Sequence, residues 1–254
     1  MRVAVVGGTG VVGRHLTEVL RESGHEPLVL ARSTGVDITT GTGLERALEG
    51  VGAVIDVSNR TTTRRGSSVA FFTAGTGQLL DAGRRAGVTH HLALSIVGVD
   101  RVDYGYYAGK RVQEQLVLEG PLPGSILRAT QFHEFAGQVL ARSPGRFPLV
   151  PQVRTQPVAA REVAAALAAL ATGPAVGLAP ELAGPQELEL VDMAREWLRA
   201  HGSDRHVVPF RVPGKAGRLM ATGALLPSAS GPRGRQSFDQ WIASATTTTN
   251  SAAK

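Results

Sequence analysis

Short apolar runs alternate along the chain with segments whose apolar residues recur at helical spacing. The first run, residues 2–6, is rich in valine and ends in glycines. From Val11 to Glu22 the apolar positions follow the period of an amphipathic helix, which Gly24 closes. The opening pattern therefore predicts a strand, a glycine-rich turn and a helix.

The same alternation continues through the first half of the chain. It predicts further strands at residues 27–31, 53–57, 88–94 and 125–128, and helices at residues 44–48, 68–86 and 106–118. Strands that alternate with helices are typical of βαβ units and a parallel sheet. The predicted fold class is therefore α/β, a doubly wound parallel sheet of the Rossmann type with a small C-terminal cap.

The pattern changes after Pro144, where prolines interrupt short segments before helices near residues 161–171 and 191–201. We therefore predict a first domain at residues 1–143 and a C-terminal cap at residues 144–245 that partly returns to the core. Four consecutive threonines begin at Thr246, and residues 246–254 are predicted to form a disordered tail.

The amino-acid composition limits the reactions and binding partners that the protein can have. The 254 residues include no cysteine, which excludes disulfides, thiol nucleophiles and thiolate metal sites. The net charge of +6 permits nucleic-acid binding, but the arginines are scattered rather than clustered with aromatic residues. We expect a small-molecule substrate and no nucleic-acid partner, while the oligomeric state stays open.

Nothing in the sequence predicts a membrane segment. The glycines from Gly7 interrupt the first apolar run, so we expect no leader peptide. The longest Ala/Val/Leu-rich stretch, residues 163–179, is broken by glycines and a proline, which leaves it too short to span a bilayer. A cytoplasmic protein that makes no membrane contact is the expectation.

The turn between the first strand and the first helix carries the clearest chemical signal. It contains Gly7, Gly10 and Gly13 in a GxxGxxG arrangement. In this context the first glycine allows a tight turn, the second lets the backbone approach a pyrophosphate, and the third allows close helix packing. We therefore predict that the domain at residues 1–143 binds a dinucleotide. The predicted cofactor-binding residues of the turn are Gly7, Thr9, Gly10, Val11, Val12 and Gly13.

The end of the second predicted strand bears on the choice of cofactor. A protein that selects NAD carries an acidic residue there to bind the ribose hydroxyls, whereas this chain has Arg32. A guanidinium can bind a 2′-phosphate in a bidentate manner, so Arg32 favours NADP(H), with a solvated surface arginine as the alternative. Asp37 is a candidate for contacting the adenine or for capping a turn.

Three segments together resemble the short-chain dehydrogenase/reductase superfamily: the glycine turn, residues 94–100 (LSIVGVD) and residues 106–110 (YYAGK). The chain is more closely similar to the atypical, NmrA-like NAD(P)-binding branch, which includes triphenylmethane and quinone reductases. Residues 127–132, 156–158 and 183–185 add to this resemblance.

The resemblance implies a catalytic trio of Ser95, Tyr106 and Lys110. Tyr106 and Lys110 are four residues apart, so one helical turn puts them on the same face, where an ammonium lowers the pKa of a phenol. The resemblance also implies that Lys110 holds the nicotinamide ribose and that Ser95 polarises the substrate. Ser95 lies closer to Tyr106 than is usual in the family, and many NmrA-like reductases work without the tyrosine, so a pocket wall is the alternative role for Tyr106.

Residues that follow other strands are further candidates. Ser58 and Asn59, after the strand at 53–57, and Phe132, after the strand at 125–128, are predicted to contact the cofactor. His133 either faces the substrate or bonds to solvent or backbone. Because His90 and His91 are adjacent on a strand, they point to opposite faces, and we predict no metal site.

The predicted function is NADPH-dependent hydride transfer to a carbonyl, a quinone or another conjugated small-molecule acceptor. An NmrA-like redox sensor that binds the dinucleotide without turnover is the alternative. Nucleotide-sugar epimerisation is a third possibility, for which the chain is short because the usual cap is larger.

Overall fold

The structure, a computed structural model, describes the backbone of residues 1–251 and the side chains of residues 1–244. In chain order its strands are β1 (Arg2–Val6), β2 (Glu26–Leu30), β3 (Ala53–Asp56), β4 (His90–Ile96), β5 (Gly124–Ala129), β6 (Leu149–Pro151), β7 (Arg154–Thr155), β8 (Gly177–Leu178), β9 (Leu188–Glu189) and β10 (Val208–Phe210). Its helices are α1 (Val11–Glu22), α2 (Leu44–Ala47), α3 (Arg65–Ala86), α4 (Gly105–Leu118), α5 (Phe135–Arg142), α6 (Ala160–Ala171), α7 (Leu190–Ala200), α8 (Gly214–Ala221) and α9 (Phe238–Ser251), and a 3-10 turn at Arg32–Thr34 follows β2.

The chain divides into two compact units. The first contains residues 1–128 and 160–180, and the second contains residues 129–159 together with the described residues from 181 onward. The predicted domains, residues 1–143 and 144–245, stay a prediction.

A six-stranded parallel sheet forms the centre of the first unit, in the order β2-β1-β3-β4-β5-β8. Its register places Val6 beside Leu30 on one side and beside Asp56 on the other. The carboxyl ends of β1, β2 and β3 are therefore level. The chain passes from β1 to β2 on one side of β1 and reaches β3 on the other, and this topological switch point is where open α/β sheets bind ligands.

Burial on both faces explains the apolar strands. Every residue of β3 is buried, as are all residues of β4 except Ile96, because helices cover the sheet. Helix α1 packs with α6, and α3 packs with α4. The α/β class and the parallel Rossmann-type sheet predicted from the sequence are confirmed.

Two boundaries around α3 differ from the sequence prediction. The helix begins at Arg65 rather than at residue 68, and β4 begins at His90 rather than at residue 88. Gly87 has a φ of +75°, and the Val88 N–H donates to the Gly83 carbonyl. Val88 is therefore part of the glycine cap of the helix, whose hydrogen bonds compete with an early start of the strand.

The second unit contains short strands and four helices among its described residues. Strands β6 and β10 form a parallel pair, β7 and β9 form an antiparallel pair, and α7 packs with α5 and α9. Helix α9 extends to Ser251, so its backbone includes residues 246–251 of the predicted disordered tail. The last part of that tail, residues 252–254, lies outside the described residues. Of the helices described, none has the length and apolar character needed to cross a membrane.

Candidate functional site

The glycine turn is held tightly against the sheet. Gly7 has a φ of +79°, and a Cβ added there would lie 2.9 Å from the Cα of Ser58 and from the carbonyl oxygen of Val57. A Cβ at Gly13 would lie 2.3 Å from the Gly7 carbonyl oxygen. The Gly7 N–H donates to the Leu30 carbonyl at 3.2 Å, which ties the turn to the end of β2. These positions therefore need glycine for steric reasons.

The N-terminus of α1 is open to a ligand. Gly10 is the N-cap in an extended conformation, with a φ of −76°, and it has no side chain to cap the helix. The first N–H groups of a helix lack intrahelical acceptors, which here makes those of Val11, Val12 and Gly13 available to an anion. A Cβ at Gly10 would be 3.3 Å from the Gly7 carbonyl oxygen, close but without the severe overlap seen at Gly13.

Arg14 supports the same turn and was missed from the sequence. Its Nη1 donates to the Thr9 carbonyl at 2.8 Å, while Thr9 itself is exposed. The guanidinium therefore fixes the backbone at the tip of the turn. The sequence feature that could have indicated this role is a basic residue one turn into a helix that follows a glycine-rich loop.

Arg32 lies at the carboxyl end of β2, where it starts the 3-10 turn and is exposed. Asp37 performs the turn-capping role that the sequence left open: its Oδ1 accepts from the N–H and the hydroxyl of Thr39, at 2.8 and 2.7 Å. These hydrogen bonds, with a smaller contribution from the charge of Arg32, lower the pKa of Asp37. A contact of Asp37 with adenine stays a prediction.

Ser58 and Ser95 are buried hydroxyls that follow or end neighbouring strands. Ser58 comes after β3 and is 9% exposed, and Ser95 lies near the end of β4 and is 3% exposed. Neither Oγ has a hydrogen-bond partner among the described residues. Buried hydroxyls usually find a partner, so both are places where a ligand atom would satisfy a polar group.

Tyr106 on α4 reaches the segment after β3. Its hydroxyl donates to Asn59 Oδ1 at 2.7 Å. Burial, with a smaller contribution from the negative charge of Asp56, raises the pKa of the phenol. The sequence-based expectation was a phenol whose pKa is lowered by Lys110, and the direction found in the structure is the opposite.

Lys110 is directed into the protein, which explains the difference. The residue is 3% exposed, and its Nζ donates to the Leu94 carbonyl at 2.6 Å and to Oε1 of Gln113. Nζ also lies 4.7 Å from the centre of the Phe72 ring, a cation–π distance. Burial lowers the pKa of Lys110 to about 8, although the charges of Asp56 and Glu114 oppose the shift.

Asp56 and Gln113 are further polar residues that the sequence analysis missed. Asp56 ends β3 and is 1% exposed, and Gln113 is fully buried on α4. In the sequence, Asp56 could have been noticed as a carboxylate at the end of an otherwise apolar strand. Gln113 could have been noticed as an amide three residues after Lys110 on the same helix.

Phe132 and His133 belong to the second unit. The centre of the His133 ring lies 5.8 Å from the centres of the Phe238 and Trp241 rings. Its Nε2 is 3.0 Å from the Gln236 carbonyl oxygen. The sequence analysis left two roles open for His133, facing the substrate or bonding to solvent or backbone. The structure shows the bond to backbone. The contact of Phe132 with a nicotinamide stays a prediction.

The first part of the chain is similar to a known protein family. The model of the NAD dependent epimerase/dehydratase family matches residues 3–100, which include the glycine turn and β1 to β4. A search of curated proteins finds no match. The family match therefore concerns the part of the chain that carries the candidate cofactor residues.

Solved structures match over nearly the full chain. A UDP-glucose-4-epimerase from Stenotrophomonas maltophila with bound NAD is 17% identical, with a TM-score of 0.73 and 99% of each chain covered. A short-chain dehydrogenase/reductase superfamily protein from Agrobacterium tumefaciens with bound NAD is 17% identical, with a TM-score of 0.69, 100% of this chain and 98% of that one covered. An NADPH-dependent quinone oxidoreductase from Escherichia coli is 15% identical, with a TM-score of 0.67, 96% of this chain and 99% of that one covered.

At these identities the structural similarity shows the fold alone. Together with the family match, it supports the superfamily resemblance and the NAD(P)-dependent enzyme class predicted from the sequence. Both an epimerase and an NADPH-dependent quinone oxidoreductase are among the similar structures.

Proposed function

We propose that this chain binds NADPH at the glycine turn and transfers hydride to a carbonyl, a quinone or another conjugated small-molecule acceptor. The observation that carries the proposal is the level arrangement of three strand ends around the open N-terminus of α1. This arrangement brings the phosphate-binding turn, Arg32 and Ser58 to one edge of the parallel sheet. A nicotinamide dinucleotide is a ligand that uses all three.

The residues at this edge fit the cofactor. The N–H groups of Val11, Val12 and Gly13 would hold the pyrophosphate, for which Gly10 leaves space above the turn. Arg32 would bind a 2′-phosphate, which favours NADPH over NADH. The buried Ser58 hydroxyl would gain the hydrogen-bond partner it lacks among the described residues.

Tyr106 would hold the proton that the acceptor needs. When bound, the nicotinamide supplies the hydride. Burial raises the pKa of the Tyr106 phenol, so it carries its proton at neutral pH but is a weaker acid than a free tyrosine. To act as a general acid it would turn its O–H from Asn59 Oδ1 to the acceptor. Ser95 would donate its free hydroxyl to the acceptor oxygen, and Lys110 would add positive charge below Tyr106 on α4.

The proposal also includes membership of the NmrA-like subtype, a small-molecule acceptor as the binding partner, and a cytoplasmic location. The resemblance of residues 127–132, 156–158 and 183–185 supports the subtype. The scattered arginines support a small-molecule partner over nucleic acid.

Nucleotide-sugar epimerisation is the second candidate function. The match of residues 3–100 to the NAD dependent epimerase/dehydratase family favours it. An epimerase regenerates its bound cofactor in each cycle, whereas a reductase consumes NADPH. Net consumption of the cofactor therefore separates the two functions.

The test combines binding and turnover. NADPH and NADH are titrated by fluorescence, and NADPH oxidation is then followed at 340 nm with a panel of quinones, aldehydes and conjugated ketones. We expect tight NADPH binding and consumption with at least one acceptor class. A UDP-sugar that is epimerised without net NADPH consumption would favour the second candidate, and tight binding without any turnover would favour a sensor. Absence of binding by either dinucleotide would overturn the proposal.

A further inference from the structure

A row of buried polar side chains connects the end of β3 to α4. Gln113 Nε2 donates to Asp56 Oδ2 at 2.8 Å, and Gln113 Oε1 accepts from Lys110 Nζ. All three residues are at least 97% buried. Burying this much polar surface is costly unless each group is paired, so the row is maintained by its internal hydrogen bonds.

The chemistry of the two ends determines how the Gln113 amide is oriented. A carboxylate only accepts hydrogen bonds and an ammonium only donates them. The amide therefore has one orientation that satisfies both neighbours, with its NH₂ towards Asp56 and its oxygen towards Lys110. The Ser58 N–H donates to the other carboxylate oxygen of Asp56 at 2.8 Å, which fixes the acid in turn.

We propose that Asp56 and Gln113 are positioning residues that act through Lys110, because they hold its ammonium beside the Leu94 carbonyl of β4 and keep it charged. The consequence for catalysis rests on the proposed function, in which Lys110 supplies positive charge to the cofactor and acceptor site. The effect of Asp56 and Gln113 on Lys110 does not depend on that function, and a separate experiment tests it.

The surrounding charges make Asp56 the main support of the ammonium. Glu114 on α4 also faces Lys110, but its carboxylate is bound by Arg128 in a bidentate pair, at 2.8 and 2.7 Å. His91 on β4 has a pKa lowered to about 4 by burial, so it is neutral at physiological pH. Asp56 accepts hydrogen bonds from the neutral groups of Ser58 and Gln113, and its charge acts on Lys110 more strongly than that of Glu114.

Tyr106 and Tyr107 add no charge to this environment. Burial raises the pKa of both phenols, so both are neutral at physiological pH. From α3, the Phe72 ring contributes a cation–π contact and no titratable group. Loss of the Asp56 charge would therefore remove the larger of the two charges that oppose the effect of burial on the pKa of Lys110.

The test uses the rarity of lysine in this chain, which has lysines only at 110, 215 and 254. Protein labelled with ¹³C-lysine gives three side-chain signals, and the Lys110 signal is the one absent from Lys110→Arg. In the unsubstituted protein without cofactor, we expect this signal to titrate near pH 8, clearly below the pKa of about 10.4 for an unperturbed lysine.

Asp56→Asn should lower the Lys110 midpoint further. The new amide presents a donor towards Gln113, the Gln113 amide reverses to accept it, and its NH₂ then faces the ammonium. We expect a downward shift of at least about one pH unit, the lower end of the effect of a nearby opposite charge. Thr76→Val is the matched control, because Thr76 is equally buried on α3 and its hydroxyl has no partner among the described residues.

Gln113→Leu tests the proposal even if Asp56→Asn does not fold. It removes the amide oxygen that accepts from Lys110 Nζ, and it should also lower the midpoint of the Lys110 titration. Combining Asp56→Asn with Gln113→Glu should restore it, because the new carboxylate accepts both from the amide at 56 and from the ammonium. A Lys110 midpoint that neither Asp56→Asn nor Gln113→Leu moves would overturn the proposal, as would an equal shift in Thr76→Val.

The result is separate from the proposed function because the titration needs no cofactor. If neither NADPH nor NADH binds the unsubstituted protein, the proposed function fails while the titration still decides the inference about Asp56 and Gln113. If NADPH does bind, Asp56→Asn should weaken binding more at pH 8 than at pH 6, because the ammonium loses its proton in that interval. An effect of equal size at both pH values would contradict a positioning role.

Discussion

The hydroxyl of Tyr106 donates a 2.7 Å hydrogen bond to Oδ1 of Asn59 and so joins α4 to the segment that follows β3. The two residues are 47 positions apart in the chain. The bond holds the phenol to which the resemblance gives a catalytic role. It also brings together two residues that were predicted for different roles, Tyr106 for catalysis and Asn59 for cofactor contact.

The Tyr106 hydroxyl should be needed for turnover and not for cofactor binding. Tyr106→Phe removes the proton donor and should lower the rate of NADPH oxidation by about 10²–10⁴-fold, the usual contribution of general acid catalysis. Asn59→Ala should have a smaller effect on the same rate, because the hydroxyl remains but loses its orientation. Stopped-flow rates and NADPH affinities of both variants check this. Full turnover by Tyr106→Phe would mean that the proton comes from solvent.

Arg32 should determine the preference between the two dinucleotides. A charge-assisted contact with the 2′-phosphate is worth roughly 1.5–3 kcal/mol, so Arg32→Ala should weaken NADPH binding by about tenfold to a hundredfold and leave NADH unchanged. Arg21→Ala is the matched control, an exposed arginine at the opposite end of α1 from the glycine turn. Fluorescence titration of both dinucleotides gives the answer. An unchanged NADPH affinity in Arg32→Ala would remove Arg32 from the site.

Two glycines of the turn should respond differently to substitution. Gly10→Val should abolish NADPH binding with little loss of fold, because the side chain occupies the approach to the helix N-terminus while the φ of −76° suits any residue. Gly13→Ala should destabilise the protein, because its Cβ would lie 2.3 Å from the Gly7 carbonyl oxygen. Thermal unfolding and NADPH titration of both variants separate these effects. Normal NADPH binding by Gly10→Val would place the phosphate site elsewhere.

His91 should make the free energy of unfolding depend on pH in the acidic range. Burial lowers its pKa to about 4 from an ordinary value of 6.5, so between these values the unfolded chain binds a proton that the folded protein does not. Stability should therefore fall as the pH decreases through this window, by an amount on the order of 3 kcal/mol. Urea unfolding between pH 7.5 and 4.5 measures it.

A histidine variant separates the contribution of His91 from those of other groups. His91→Leu should reduce the slope of the curve and leave the part that comes from His90, whose pKa burial also lowers. A curve of equal slope in His91→Leu and in the unsubstituted protein would assign the acid sensitivity to other groups.

The class of fold and the place of the phosphate turn follow from the sequence itself. The period of the apolar residues depends only on which faces of each element are buried, so strands and helices are readable from local pattern. Gly7, Gly10 and Gly13 are similarly local, because backbone conformation and close packing at a tight turn exclude side chains. Prediction was weaker at the end of α3, where hydrogen bonds of the glycine cap, rather than apolar pattern, determine where β4 begins.

The direction of Lys110 was decided by the tertiary structure. The four-residue spacing places Tyr106 and Lys110 on one face of α4, yet the lysine pairs with Leu94 of β4 and with Gln113, whose amide is oriented by Asp56, 57 residues away along the chain. Helical spacing specifies the side of a helix on which two residues lie. It does not specify what packs against that side, and in a buried site the ammonium must bond to whichever acceptors the packed elements bring within reach.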